Sequence, residues 1–147
     1  EALRIVNDAP IQDDPDLWCG AKPVTFPVDN PGFRMIIKGS PLDYEMTDDF
    51  KVTTQMNVVN IGTAQMLTIP GEALPNIGYY LKRNMHGDSN FLLGLSNDAF
   101  GYIMVKEDFG SFDRYRYITE TSLGEQTAGI LIEEGLAMVD AAPRPKK

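Results

Sequence analysis

The sequence predicts a mixed α/β fold, and three observations carry that prediction. A run rich in β-branched residues spans positions 50–62, apolar residues recur at helical spacing after Gly71, and a second helical pattern follows Ser122. Hydrophobic residues make up 43% of the 147 positions, which suits a chain with a buried core. We expect a mixed sheet with two main helices, at about 73–85 and 123–139, as part of a larger layered catalytic domain.

Composition excludes several classes of function. The chain has 13 Lys and Arg against 21 Asp and Glu, a formal charge of −8, so nucleic acid or an anionic membrane surface is not expected as its main partner. Cys19 is the only cysteine, which excludes an intrachain disulfide and a cysteine-based zinc site. No apolar run reaches the roughly 20 residues of a transmembrane segment. Because the chain begins with Glu1 rather than Met, we expect a processed or excised product.

The N-terminal third is predicted to be extended and loop-rich. Residues 1–32 are rich in Pro, Asp and Asn without a sustained period, and Leu17, Trp18 and Phe26 are the expected anchors. The segment 33–39 is predicted to form a strand. The whole of 1–50 is therefore treated as one extended segment of a single domain or fragment.

An acidic run near the N-terminus has two interpretations. Asp13, Asp14 and Asp16 could belong to a calcium loop, but they lack the alternating spacing and the glycine of an EF-hand. A solvated turn is the interpretation we prefer.

Residues 51–140 form the predicted α/β core, and 141–147 a tail. The strand at 50–62 turns at Gly62-Thr63 into the apolar run AQMLTIP, and the helix at 73–85 follows, with Pro75 suited to its first turn. A short apolar run at 90–97 predicts a buried strand, and 100–105 another strand or an irregular extension of it. An aromatic loop comes next. Ser122 and Glu125 then form a capping box that opens the last helix.

Glu72 lies where the apolar run ends and the first helix begins. A carboxylate at a helix N-terminus can act as a cap, which contributes roughly 0.3–1 kcal/mol. The same position, at the end of a buried strand, can also hold a metal ligand or a catalytic base. The local pattern leaves both interpretations open.

The segment from about 52 to 139 resembles the neutral ceramidase family, the zinc amidases that cleave the N-acyl bond of ceramide. The order and spacing of several short motifs carry the resemblance: Pro70-Gly71-Glu72, Gly94-Leu95-Ser96-Asn97, Tyr102, Glu107-Asp108-Phe109, Tyr115 and Gly124-Glu125-Gln126-Thr127.

The resemblance implies definite roles for three residues. Glu72 and Tyr102 would be zinc ligands, and Tyr115, with Tyr117 as its rival, would assist the oxyanion. Zinc would supply an activated water for attack on an amide of a ceramide-like lipid. The family also implies a secreted or extracytoplasmic setting.

The remaining family ligands are upstream histidines, and this chain has only His86. His86 is expected to be a solvent-facing residue in a surface turn. An upstream part of the same polypeptide, or another chain, would therefore have to supply the imidazoles, and the isolated chain would be inactive.

A second hypothesis treats the chain as a non-catalytic α/β interaction or assembly module that keeps the scaffold without the metal site. In that case Tyr102 is an aromatic residue of a strand and its ring packs on the core. Tyr115 and Tyr117, which alternate with Arg114 and Arg116, then belong to an edge segment.

Overall fold

A mixed four-stranded sheet forms the centre of the fold. The structure, a computed structural model, describes residues 1–41 and 44–146, so the predicted tail is described as far as Lys146. The strands are β1 (Leu17–Pro27), β2 (Lys51–Ile61), β3 (Ala64–Thr68), β4 (Glu72–Ala73), β5 (Ser89–Leu93) and β6 (Tyr102–Ile103). The main sheet has the order β1-β2-β3-β5, and β4 pairs with β6 in a separate small sheet.

Two of the helices cover one face of the main sheet. The helices are α1 (Ala2–Asp8), α2 (Pro31–Gly39), α3 (Pro75–Asn84), α4 (Arg116–Glu120) and α5 (Thr127–Ala141). Helix α5 contacts β1 and β2, α3 contacts β5, and the two helices contact each other. The predicted α/β class with two main helices is confirmed.

The register of the sheet explains which side chains form the core. β1 and β2 are antiparallel along eleven residue pairs, and β3 and β5 are parallel. Along β2 every second residue is buried, among them Val52, Met56 and Val58. This alternation is what a sheet with one covered face requires. The strand predicted at 50–62 and its turn at Gly62-Thr63 are thus confirmed.

The prediction of a loop-dominated N-terminal segment was wrong. Residues 17–27 form the longest edge strand of the main sheet, and Phe26 is fully buried while Leu17 is 74% exposed. The prolines at 23 and 27 suggested a loop, but an edge strand tolerates proline because its outer N–H groups are not needed for pairing.

The strand predicted at 33–39 is also wrong, because this segment is helix α2. The side chain of Asn30 accepts hydrogen bonds from the N–H groups of Gly32 and Phe33, and Pro31 occupies the first turn. An N-cap followed by proline is a helix start. Ile37 is the one buried residue of the helix.

The predicted capping box does not form. Helix α5 begins at Thr127, four residues after the predicted start, and the hydroxyl of Thr127 donates to the carbonyl of Gly124 at 2.8 Å. Ser122 instead lies in an extended segment that forms a bridge with Gly101. The segment before it, predicted as an aromatic loop, contains two short 3-10 turns and the single turn of α4.

Within residues 1–41 and 44–146, no helix has both the length and the apolar character needed to cross a bilayer.

Candidate functional site

The junction between β3 and α3 places Glu72 in an exposed position beside Tyr102. β4 and β6 are parallel, and Glu72 and Tyr102 are direct partners in the register. Directly paired residues project to the same face of a sheet. The two side chains, thirty positions apart in the sequence, therefore lie next to each other on one side of the small sheet.

Backbone hydrogen bonds hold this junction in place. The N–H of Glu72 donates to Gly101 O at 2.9 Å, and the N–H of Phe100 donates to Pro70 O at 2.8 Å. A Cβ at position 71 would lie 2.6 Å from Gly101 O, so only glycine permits the two segments to approach this closely. The Pro-Gly-Glu sequence thus brings the carboxylate to Tyr102.

The electrostatics of the pair follow from this geometry. The negative charge of Glu72 is the main cause that raises the pKa of the Tyr102 phenol above its ordinary value; partial burial, Tyr117 and a hydrogen-bonding contribution from Glu72 add to it. A neighbouring anion disfavours the phenolate, so the phenol keeps its proton.

Tyr117, rather than Tyr115, accompanies this pair. The rings of Tyr102 and Tyr117 meet edge to face with centroids 5.8 Å apart. The ring of Tyr115 packs against Phe112, and the guanidinium of Arg114 lies over it. The alternation of arginine and tyrosine did not reveal this division, because a 3-10 turn and α4 replace the extended segment that it suggested.

The capping interpretation of Glu72 finds little support. Helix α3 begins at Pro75 with Leu74 as N-cap, which has no side-chain capping bond, and within the first turn the side chain of Asn76 accepts from the N–H of Ile77 at 2.9 Å. Glu72 lies two residues before that N-cap, in β4. Glu72 is therefore paired with Tyr102 in a strand and is not part of the first turn of the helix.

His86 is not part of the pair formed by Glu72 and Tyr102, and it interacts with residues of β3 and α5 instead. Its Nε2 is 3.0 Å from Oδ1 of Asp140, and its backbone N–H donates to the side chain of Gln65 at 2.9 Å. The expectation of a solvent-facing side chain was wrong, because packing at the end of α5 leaves only 15% of it exposed. Through these two contacts the turn that contains His86 packs against both β3 and the C-terminal helix α5.

The donors in the part of the chain that the structure describes do not complete a zinc site. Among residues 1–41 and 44–146, no group of three or more His, Cys, Asp or Glu side chains is placed to hold a metal ion. Zinc sites in proteins generally use three or four protein ligands, most often imidazoles or thiolates. Glu72 and Tyr102 offer two oxygen donors, which are at most part of such a site.

The acidic run near the N-terminus is exposed, as the solvated-turn interpretation predicts. Asp13 and Asp14 lie in a bend, and Asp16 is paired with Lys146 at 3.4 Å.

Comparison with known proteins finds similarity at the level of structure. The chain is similar to neutral ceramidase from Pseudomonas aeruginosa, with a TM-score of 0.48 and 16% identity over 65% of this chain and 17% of that one. A structure of ceramidase complexed with C2 matches with a TM-score of 0.49 and 17% identity, over 65% of this chain and 16% of that one. The chain thus spans about a sixth of the length of these proteins. No protein-family model matches the sequence. No curated protein matches it either.

Proposed function

We propose that this chain is the C-terminal portion of a zinc-dependent amidase resembling neutral ceramidase, acting on an N-acyl amide such as a ceramide-like lipid. Glu72 and Tyr102 are two of its metal ligands. The imidazole ligands come from an upstream part of the polypeptide or from another chain, and without them the isolated chain is inactive.

The pairing of Glu72 with Tyr102 is the observation that carries this proposal. A carboxylate and a phenol are both oxygen donors for zinc, and here the backbone fixes them on the same face of one small sheet. Glu72 is exposed and lies two residues before the N-cap of helix α3, so its carboxylate is available for a ligand.

Tyr117 is the better candidate for the oxyanion role that the resemblance implies for Tyr115, with Tyr117 as its rival. An oxyanion in amide hydrolysis is stabilised by a hydrogen-bond donor next to the reacting carbonyl. The Tyr117 ring contacts Tyr102, and its side chain is 65% exposed, so the hydroxyl can face a substrate bound there. Tyr115 belongs to the cluster with Phe112 and Arg114.

Zinc content provides the direct test. The product of the complete gene is purified with the native sequence, with Glu72→Ala and with Tyr102→Phe, and bound zinc is measured together with hydrolysis of an N-acyl amide. We expect both substitutions to lower zinc occupancy and activity. Glu133→Ala, which removes an exposed carboxylate on α5, is the matched control and leaves both unchanged. Full zinc occupancy in Glu72→Ala would refute the assignment of Glu72.

A non-catalytic interaction or assembly module is the second candidate. The hydrogen bond between the single histidine, His86, and Asp140, which is far along the sequence from Glu72, favours this second candidate. It predicts that the complete gene product carries no zinc and hydrolyses no amide, whereas the first proposal predicts both properties.

A further inference from the structure

The described helices leave one face of the main sheet exposed to solvent. Helix α5 packs on the side where Val52, Met56 and Val58 of β2 are buried, and alternate residues of a strand project to the opposite side. On that opposite side Leu17 is 74% exposed and Phe91 is 47% exposed. We call this surface the open face; its apolar residues are Leu17, Cys19, Ala21, Val59, Ile61, Ala64, Met66, Phe91 and Leu93.

The register of the sheet joins these side chains into a continuous apolar surface. One row of directly paired residues crosses all four strands and consists of Cys19, Val59, Met66 and Phe91. In the next row Leu17 is opposite Ile61, and Ile61 is opposite Ala64. Monomeric proteins rarely expose a large contiguous apolar surface, and such a surface commonly marks an interaction site.

Charged residues are nearly absent from this side of the sheet. Charged residues make up 23% of the chain, yet Lys51, at the far end of β2, is the one charged residue that the described strands of the main sheet project to this side. A solvated sheet face normally alternates with polar and charged residues. Because the formal charge of −8 arises elsewhere on the chain, two copies can bring their open faces together without placing carboxylates opposite each other.

The same side of the sheet becomes polar beyond the open face. The hydroxyls of Thr25 and Thr53 are 2.8 Å apart, and the side-chain amide of Asn97 donates to Gln55 O at 2.6 Å and to Asn57 Oδ1 at 2.8 Å. An apolar centre with a polar margin is the usual anatomy of a protein–protein interface.

The area of this side is sufficient for a dimer of two copies. At about 3.4 Å per residue and about 4.8 Å between strands, the paired residues of β1 and β2 and of β3 and β5 span roughly 500 Å² in the plane of the sheet. Two copies packed face to face therefore remove roughly 1,000 Å² from solvent, which is the area that a specific interface requires.

Association through the edge of β1 is less favourable than association through the face. Pro23 and Pro27 lie in this edge strand and have no N–H to donate to an added strand. Face-to-face packing depends on side chains, so these prolines do not oppose it.

We infer that the open face binds the open face of a second copy of this chain in a two-fold symmetric dimer. The two sheets pack about 10 Å apart, and the row that contains Val59 and Met66 lies at the centre of the contact. This inference does not depend on the candidate metal ligands, because neither Glu72 nor Tyr102 belongs to the main sheet.

Sedimentation velocity of the 147-residue chain, from micromolar to millimolar concentration and in the presence of a reductant, tests this inference. We expect a reversible shift from the monomer mass to twice that mass. Cys19 is exposed in the open face and is the only thiol, so its initial rate of reaction with N-ethylmaleimide in reductant-free buffer should fall over the same concentrations. A chain that stays monomeric at millimolar concentration would overturn the inference and leave the open face to another part of the polypeptide or to a different protein.

Two variants and a control assign the contact to the open face. Phe91→Glu is expected to weaken dimerisation by about tenfold or more, because two-fold symmetry places the new charge in the interface twice. Leu17→Glu, at a more exposed position, should act in the same direction and serves if Phe91→Glu does not fold by circular dichroism. Tyr79→Glu changes an exposed aromatic residue of α3 and should dimerise as the native chain does. Native dimerisation in Leu17→Glu together with Phe91→Glu, or a Cys19 reaction rate independent of concentration, refutes this interface.

Discussion

The main sheet and the small sheet are organised in opposite ways. In the main sheet β1 and β2 share eleven residue pairs, and the buried side chains of β2 meet α5. The small sheet consists of two residue pairs, Glu72 with Tyr102 and Ala73 with Ile103. The main sheet buries a row of side chains under α5, whereas the small sheet buries Ile103 and holds Glu72 and Tyr102 side by side through its backbone pairing.

This difference separates stability from site geometry. Fully buried side chains such as Leu67 and Met56 lie under α5, whereas Glu72 is exposed and Tyr102 only partly buried. Burial of a large apolar side chain contributes about 1.5–3 kcal/mol. We therefore expect substitutions of buried side chains in the main sheet to change mainly the stability, and substitution of the exposed Glu72 to change mainly the protonation of Tyr102.

The largest effect is expected for Leu67→Ala. Leu67 is fully buried in β3, so its truncation removes apolar contacts and leaves a cavity, at a cost of about 3 kcal/mol or more in the free energy of unfolding. Urea denaturation measures the change. Leu93→Ala, at a side chain 42% exposed on β5, is the matched control and should cost about 1 kcal/mol or less. Equal losses in the two variants would show that β3 is not the centre of the core.

Gly101→Ala is expected to have the next largest effect. Gly101 has φ of +75°, and a Cβ there would lie 2.1 Å from the carbonyl oxygen of Thr121, which accepts the N–H of Tyr102. We expect a loss of about 2 kcal/mol, because a left-handed conformation with a Cβ is unfavourable and the clash displaces the backbone.

Gly129→Ala makes the same substitution as Gly101→Ala but at a position where an added Cβ is tolerated. Gly129 lies in α5 with nothing within 4 Å of an added Cβ, so alanine should stabilise the protein by up to about 1 kcal/mol. Thermal unfolding of both variants tests the pair. A neutral Gly101→Ala would mean that the small sheet does not depend on this close approach.

The difference between locally determined and globally determined features explains what could be predicted from the sequence. The strand at 50–62 and the helix at 73–85 are confirmed because their hydrophobic periodicity is set locally, by burial on one face. β1 was missed because its prolines are acceptable only at a sheet edge, and edge position is a property of the whole sheet. Helix α2 was missed because a short apolar run fits a strand or a helix, although Asn30 before Pro31 was a readable start signal.

The proximity of Glu72 and Tyr102 agrees with the resemblance, whereas their role as metal ligands stays a prediction. Glu72 and Tyr102 were identified from motif order, and the structure places them side by side. The choice between Tyr115 and Tyr117 depends on which ring a single turn of helix directs toward Tyr102, and this is decided by tertiary packing. The hydrogen bonds from the Asn30 side chain to the carbonyls of Glu120 and Ser122 had no sequence signal, since the partners are 90 and 92 residues apart in the chain.

The smallest effect on stability, and the sharpest test of the small sheet, is expected for Glu72→Gln. The carboxylate raises the pKa of Tyr102 chiefly through its charge, so the neutral amide should lower that pKa toward its ordinary value. In metal-free buffer, the 295 nm absorbance of the Tyr102 phenolate should then rise at a lower pH than in the native chain. A parallel titration of Tyr102→Phe identifies the signal. Glu107→Gln removes an exposed carboxylate elsewhere and should leave the titration unchanged. If Glu72→Gln also leaves it unchanged, the two side chains do not share one face in solution, and the pair on which the proposed metal site depends is absent.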